Sequence, residues 1–323
     1  MPIGKSSICN VQNSKVRCPK VSIVVPFYNP GPFFQQCVSS IFSQDYKNLE
    51  ILFVNDGSVS GTVPNLTLEV RKKVNVIEQS HRGVSVARNL GLTYATGDYV
   101  CFLDSDDFFD KNFISELVRS ALEHDSDVVV CDFYYYNQIK QIDQKKKVPI
   151  DLLNMTLIGE NLKSNIFDIS PNVWNKMFKR SLITENQIAF QELKTCNDFA
   201  FTYQCLAYAK KISLVNIPLV HYRICQDGNI SSKRGAHAQN LFCALKFLQQ
   251  KLTEKKLFEV YCYTFKLRAF RSIVHEFVAC DFFQKWSFLF SATKEFSIRE
   301  LLEVFAVGIY QTVVDLKKKL HNK

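Results

Sequence analysis

The stretch Val21-Ser22-Ile23-Val24-Val25-Pro26-Phe27-Tyr28-Asn29-Pro30-Gly31-Pro32 passes from a β-branched run directly into turn chemistry. The run has the composition of a buried strand that ends near Pro26, and Asn-Pro-Gly-Pro reverses the chain. Phe33 to Ser43 follows with the length and pattern of a crossover helix. The alternation then repeats. Strands are predicted at Glu50–Val54, Val74–Glu78, Tyr99–Leu103 and Asp127–Cys131, and helices near Leu66–Lys73, Ser85–Ala95 and Asn112–His124. Strands separated by helix-length segments predict an α/β fold, Rossmann-like, with a mostly parallel twisted sheet flanked by helices.

Composition agrees with one large domain, or one domain and an appendage. The chain has 323 residues, 47% hydrophobic and 22% charged, and its 27 Phe and 13 Tyr can fill a sizeable core, which excludes a disordered chain. An excess of 40 Lys+Arg over 31 Asp+Glu gives +9, suited to a phosphate-bearing ligand or an anionic membrane surface but too weak to argue for nucleic acid. The eleven cysteines are scattered and form no CxxC pair, which speaks against zinc and against a disulfide framework. The first twenty residues are polar and include Lys5, Lys15, Arg17 and Lys20, unlike a signal peptide. No apolar run approaches the ~20 residues of a membrane span. A cytoplasmic protein is expected, touching membranes only peripherally.

In such a sheet, ligands bind beyond the carboxyl ends of the strands. Three of those ends carry unusual chemistry: Pro26-Phe27-Tyr28-Asn29, Asn55-Asp56-Gly57-Ser58 and Asp104-Ser105-Asp106-Asp107. Neither a G-x-G-x-x-G fingerprint nor a P-loop is present. The carboxylates of Asp104, Asp106 and Asp107 suit Mg²⁺ or Mn²⁺, which take one or two carboxylates completed by water and phosphate. Equally, acidic residues could cap a helix running from Phe108 to Leu117. Asp56 reads either as an Asx-type turn or as an acceptor for a pyrimidine N–H with Tyr28 or Pro26 packed on the base. After the third strand comes His81-Arg82-Gly83-Val84-Ser85-Val86-Ala87-Arg88-Asn89, a near miss to the G-x-S-x-G elbow without a matching Asp and His. Arg88 there could reach a diphosphate or lie on a solvated helix face.

Together, Val24-Val25-Pro26-Phe27-Tyr28-Asn29, Val54-Asn55-Asp56-Gly57-Ser58, Gly83-Val84-Ser85-Val86-Ala87-Arg88-Asn89 and Phe102-Leu103-Asp104-Ser105-Asp106-Asp107 resemble the family 2 glycosyltransferases in order and spacing. The resemblance covers Val21 to Ser232, about two thirds of the chain. It implies the GT-A fold, a nucleotide-diphosphate sugar donor (a uridine nucleotide), Mn²⁺ or Mg²⁺ on the D-x-D triplet, and transfer with inversion to a glycan or lipid-linked acceptor. By the same resemblance Pro26, Tyr28 and Asp56 line the base and Arg88 helps hold base or phosphate. Asp104 contacts ribose or metal, and Asp106 is the main metal ligand. Asn55 stands where many relatives carry Asp. Cys196-Asn197-Asp198-Phe199-Ala200-Phe201 matches the acceptor-side acid, so Asp198 inherits the role of catalytic base and Asn197 replaces the usual Glu; read without the resemblance, Asp198 would be an N-cap. The implied partition is a tail at 1–20, a nucleotide-sugar half at 21–136, an acceptor half at 137–234 and a C-terminal helical extension at 235–323. The alternative is a catalytically silent nucleotide-sugar-binding partner of an active transferase. A nucleotidyltransferase would bring a basic, glycine-rich loop after the first strand, and Asn29-Pro30-Gly31-Pro32 has no basic residue.

Farther along, Trp174 reads as core or as a sugar platform. His221, placed after a strand Ile212–Asn216 and a turn at Pro218, reads as structural or as a metal or phosphate ligand. Leu241, Leu245, Leu248 and Leu252 form one packing stripe, and Leu267, Phe270, Val274 and Phe277 another. Ala279 breaks the H-E-x-x-H pattern begun by His275-Glu276. The final helix sets Leu302, Phe305, Ile309, Val313, Leu316 and Leu320 on one side and ends in Lys317-Lys318-Lys319, His321 and Lys323. Either core packing or docking on an anionic membrane fits that pattern.

Overall fold

The structure, a computed structural model, describes residues 18–59, 72–137, 142–146, 160–224, 238–278 and 282–321. The chain forms two compact units that interleave in sequence. The first comprises Met1–Leu157, Val173–Ala189 and Ala209–Cys225, and the second Ile158–Asn172, Phe190–Tyr208 and Gln226–Lys323.

Among the described residues the first unit is built on a nine-stranded mixed sheet. Its strands are β1 (Val21–Phe27), β2 (Leu49–Asp56), β3 (Asn75–Gln79), β4 (Tyr99–Phe102), β5 (Phe108–Phe109), β6 (Val128–Asn137), β7 (Ile142–Lys146), β8 (Lys176–Lys179) and β9 (Ile212–Ile224). The order is β3-β2-β1-β4-β8-β6-β9-β5, with β7 paired to β6. The strands β3, β2, β1 and β4 are mutually parallel, as expected. Beyond β4 the sheet turns mixed, because β8 runs antiparallel to both β4 and β6. Both β1 and β2 are buried over most of their length, which explains why they read as continuous apolar runs rather than as alternating ones.

Helix α1 (Phe34–Phe42) follows β1, α2 (Val84–Tyr94) follows β3, and α3 (Phe113–His124) follows β5. A β-carbon on Gly91 of α2 would lie 2.4 Å from Val24 Cγ1, so only glycine lets α2 pack this closely on β1. The helix predicted at Leu66–Lys73 lies outside the described residues, except for a turn at Lys72 and Lys73.

Two local expectations change. Phe108 does not open a helix: Phe108 and Phe109 pair antiparallel with β9, and α3 begins at Phe113. The acidic residues ahead of Phe108 therefore cap nothing there. Likewise β9 does not stop at Asn216. It continues through Pro218 to Ile224, and the proline sits at a bulge where the β6 partner register jumps from Val215 to Pro218. A bulge is where a strand tolerates a residue without an N–H.

The second unit is helical, with α4 (Glu160–Asn165), α6 (Asn197–Tyr208), α7 (Ala238–Glu254), α8 (Phe258–Val278), α9 (Phe282–Glu295) and α10 (Ile298–His321); the short α5 (Arg180–Glu185) belongs to the first. In α7, Leu241, Leu245, Leu248 and Leu252 are all buried, as their spacing predicts. In α8 the deepest stripe is Tyr261, Phe265, Ala269 and Ile273, while Leu267, Phe270, Val274 and Phe277 are half-buried. The final helix α10 packs through Val304 and through Gly308, where a β-carbon would strike the Phe270 ring. Leu302, Ile309 and Val313 face solvent, with Leu302 65% and Ile309 57% exposed, while Phe305 lies edge-on to Phe270 at 5.5 Å. Core packing therefore does not hold for Leu302, Ile309 and Val313. The side chains of residues 316–323 lie outside the described set.

Candidate active site

The strand order changes direction between β1 and β4, since β2 and β3 lie on one side of β1 and β4 on the other. At such a switch point the two neighbouring loops diverge and leave a crevice at the carboxyl ends. Pairing of β1 with β4 ends at Val24–Phe102, so Pro26 lies past that ladder while β1 still pairs with β2 through Phe27–Asn55. A missing N–H at Pro26 therefore costs no bond to β4, although the strand is central. The residue is buried in the strand, and Tyr28 emerges 45% exposed at its end.

Asp56, at the end of β2, is buried and heavily solicited. Its Oδ1 accepts from Gln79 Nε2 at 2.6 Å and the Arg82 N–H at 2.8 Å, and its Oδ2 accepts from the Gly83 N–H at 2.9 Å. His81 Nδ1 lies 2.9 Å from Oδ2, and the His81 ring stacks on Tyr28 with centroids 3.9 Å apart. Asp56 is thus not a local Asx turn. It ties β2 to the loop ahead of α2, and the local turn belongs to Asn55, whose Oδ1 accepts from the Ser58 N–H at 3.0 Å. Asn55 also donates to Glu78 Oε2 at 2.7 Å. An aspartate at 55 would face that carboxylate, which gives the asparagine a physical reason. Gly57 closes the corner at φ +73°, with any β-carbon 2.5 Å from the His81 nitrogen.

On the other side of the switch point, Leu103 and the turn Asp104-Ser105-Asp106-Asp107 follow β4. Arg88 on α2 does not lie on a solvated face: it is 5% exposed, and its Nη2 meets Asp104 Oδ1 at 2.6 Å. Asp104 and Asp106 remain half-buried, whereas Asp107 is buried. Burial pushes the Asp107 carboxyl well above the usual carboxylate range, and the charges of Asp106 and Asp104 push it further. Asp107 Oδ1 accepts from the Arg223 N–H at 2.8 Å, and Oδ2 has no hydrogen-bond donor among the described residues. Among the described residues no three His, Cys, Asp or Glu side chains converge as a ready-made metal cage. Magnesium and manganese do not need one, because two carboxylates with water and a ligand phosphate complete their shell. The half-buried pair Asp104 and Asp106 is a donor set of that kind.

Other expectations resolve as structure. Trp174 is core, edge-on to Phe133 and stacked on Tyr222 at 5.1 Å. His221 lies 3.1 Å from Asp110 Oδ1 and stacks between Phe108 and Tyr134. Asp198 belongs to the second unit. It lies inside the first turn of α6, which begins at Asn197, rather than ahead of the helix as an N-cap. That helix is fixed by Thr202 Oγ1 donating to the Pro171 carbonyl at 2.6 Å, by Tyr203 OH donating to the Ile169 carbonyl at 2.9 Å, and by Phe201 stacked on Phe190. Burial pushes the neighbouring Cys196 thiol up to about 12, with the charges of Asp198 and Glu276 adding to it.

Sequence reasoning passed over His81 and Arg223. His81 could have been found from its position at the end of the third parallel strand, on the same sheet edge as Tyr28 and Asp56.

A parallel half-sheet with a switch point, an aromatic and a carboxylate at the strand ends on one side and an acidic turn on the other, is the arrangement of an open α/β protein whose polar residues gather at the carboxyl edge. Residues 22–185 match the family model described as glycosyl transferase family 2, and the chain belongs to that family. Among curated relatives, a putative glycosyltransferase of Bacillus subtilis, EpsH, is 30% identical over 64% of this chain, which spans 61% of that protein's length. Poly(ribitol-phosphate) beta-N-acetylglucosaminyltransferase TarS of Staphylococcus aureus is 25% identical over 88% of this chain and 47% of its own length. The crystal structure of TarS residues 1–349 with UDP-GlcNAc superposes with a TM-score of 0.65 at 23% identity, covering 78% of this chain and 73% of that one. A mannosyltransferase of Pyrobaculum calidifontis, in complex with GDP-Man and Mn²⁺, superposes at 0.56 with 19% identity, covering 94% of this chain and 89% of that one. These neighbours bear on the GT-A fold.

Proposed function

We propose that the protein transfers a sugar from a nucleotide-diphosphate donor, a uridine one, to a hydroxyl of a glycan or lipid-linked acceptor, with inversion and metal assistance. The carrying observation is the β1/β4 switch point, which has Tyr28 and Asp56 on one side and the Arg88-held Asp104 with Asp106 on the other. Family membership supports the reaction class, and the UDP-GlcNAc bound to the staphylococcal neighbour supports the donor.

Tyr28 offers the base a ring to stack on. Asp56 accepts the pyrimidine N–H once His81 yields its place on Oδ2. Arg88 fixes Asp104 and brings positive charge towards the diphosphate. Asp106, with Asp104 beside it, would hold Mn²⁺ or Mg²⁺, whose positive charge offsets the charge growing on a departing diphosphate. Asp198 takes the proton of the acceptor hydroxyl as its oxygen attacks the anomeric carbon from the face opposite the leaving group. A thermal-shift panel of nucleotide sugars, with and without Mn²⁺, tests this reading. A uridine donor should raise the melting temperature more with the metal than without it. If no nucleotide sugar raises it under either condition, the proposal is wrong.

The exposed stripe of α10 supports peripheral attachment to the cytoplasmic face of an anionic membrane. Because the helix is apolar on its packed side and on its open side, it has a second surface to cover. The lysines at 317–319 that follow in sequence favour a lipid surface of negative charge. The protein should float with anionic vesicles, release in high salt and ignore neutral ones. Equal recovery with both lipids, or a salt-resistant dimer whose interface hides Leu302 and Ile309, would refute the attachment. Among the described residues no helix is long and apolar enough to cross a membrane.

A further inference from the structure

Arg223 is the largest fully buried side chain among the described residues, and it stands on β9, two residues past the point where β9 pairs with Phe108. An arginine so enclosed is costly unless its donors are used. Its Nε donates to the Asp106 carbonyl at 2.8 Å, and its main-chain N–H donates to Asp107 Oδ1 at 2.8 Å. One residue thus grips two consecutive positions of the acidic turn, by backbone at one and by side chain at the other. The guanidinium is itself held. Its Nη2 donates to Gln36 Oε1 at 2.6 Å, and its Cζ lies 4.1 Å from the Phe33 ring centroid, with the Phe108 and Tyr136 rings also near it.

We infer that Arg223 is a positioning residue for divalent-cation binding: with Gln36 behind it and Asp107 as its anchor on the turn, it sets the backbone at Asp106 so that the Asp106 carboxylate is presented to the ion. The inference rests on the metal-assisted reading of Asp104 and Asp106 and gives the third carboxylate a different task. Asp107 is buried and bound to β9, so it fastens the turn, while the half-buried Asp104 and Asp106 are the carboxylates that would hold the ion. Groups that orient a ligand residue typically change metal affinity ~10–100-fold when they are altered.

The test uses full-length protein, Mn²⁺ and UDP. Free Mn²⁺ is followed by electron paramagnetic resonance, and metal-free UDP affinity is measured separately by calorimetry. Arg223→Lys keeps the charge but loses the planar fork that serves the Asp106 carbonyl and Gln36 together. Gln36 is at the surface, so Gln36→Ala disturbs the guanidinium without endangering the fold. Arg223→Lys should weaken Mn²⁺ binding in the presence of UDP ~10–100-fold. Gln36→Ala should shift it in the same direction by less, and UDP affinity without metal should be unchanged in both. If both variants bind Mn²⁺ as the parent does, or lose metal-free UDP binding in step with Mn²⁺, Arg223 is only a structural residue. Should Arg223→Lys not fold, Gln36→Ala decides alone. Failure of the parent itself to bind Mn²⁺ with UDP would overturn the metal reading of the turn, and with it this inference, before any variant is compared.

Discussion

Asp106→Asn is expected to abolish the response of transfer to Mn²⁺ and to cut the rate by at least ~10²–10³-fold, the usual loss when a group that offsets transition-state charge is removed. The substitution conserves shape. Asp106 is half-buried, and its carbonyl bond to Arg223 Nε is untouched, so the melting temperature should stay close to that of the parent. What changes is charge: a neutral amide oxygen is a poorer ligand for a hard divalent ion than a carboxylate is. Initial rates at saturating donor across a Mn²⁺ titration, beside thermal melts, separate lost chemistry from lost fold. Undiminished, Mn²⁺-stimulated transfer by a folded variant would remove Asp106 from the reaction. If instead the parent neither transfers nor hydrolyses any donor it binds, the catalytically silent alternative is correct.

Much of this arrangement was legible because it follows from local rules. Strands buried on both faces read as apolar runs, and the crossover segments carry helical spacing, so β1 through β4 and the helices α1 and α2 could be placed from sequence. The three polar strand ends were legible because the carboxyl edge of a parallel sheet is the place to look. What escaped was decided by pairing across long sequence separation. The helix near Asn112–His124 was legible, but nothing local shows that Phe108 and Phe109, which the capping alternative would put in a helix, pair with β9 more than a hundred residues later. Arg88 looks solvated until Asp104, on another loop, claims it. Asp107 looked like one more carboxylate of the triplet until Arg223 arrived from β9. The outward stripe on α10 shows the limit of periodicity, which reports that a face is apolar but not which of two apolar faces the neighbouring helix takes.

Asp198→Asn is expected to lower kcat ~10²–10⁴-fold, the usual loss for a positioned general base, with little change in donor affinity. Two features of α6 make the side chain suitable for that task. It lies in the first turn, where the positive end of the helix dipole favours a negative side chain, and the helix behind it is buried nearly throughout and fixed by Thr202, Tyr203 and Phe201. Asn197, in place of the usual Glu, is buried and donates through Nδ2 to the Leu193 carbonyl at 3.4 Å, so its amide stays inside the unit rather than competing for a proton. An asparagine at 198 can accept a hydrogen bond from an acceptor hydroxyl but cannot keep its proton, which is the distinction the experiment needs. Weakening of the helix terminus costs only about 0.3–1 kcal/mol, too little to unfold the unit. Donor dissociation constants should match the parent's, because Tyr28, Asp56 and Arg88 belong to the other unit. A variant whose kcat is unchanged excludes Asp198 as the base, and one that loses donor binding and turnover in equal proportion assigns it to binding instead of proton transfer.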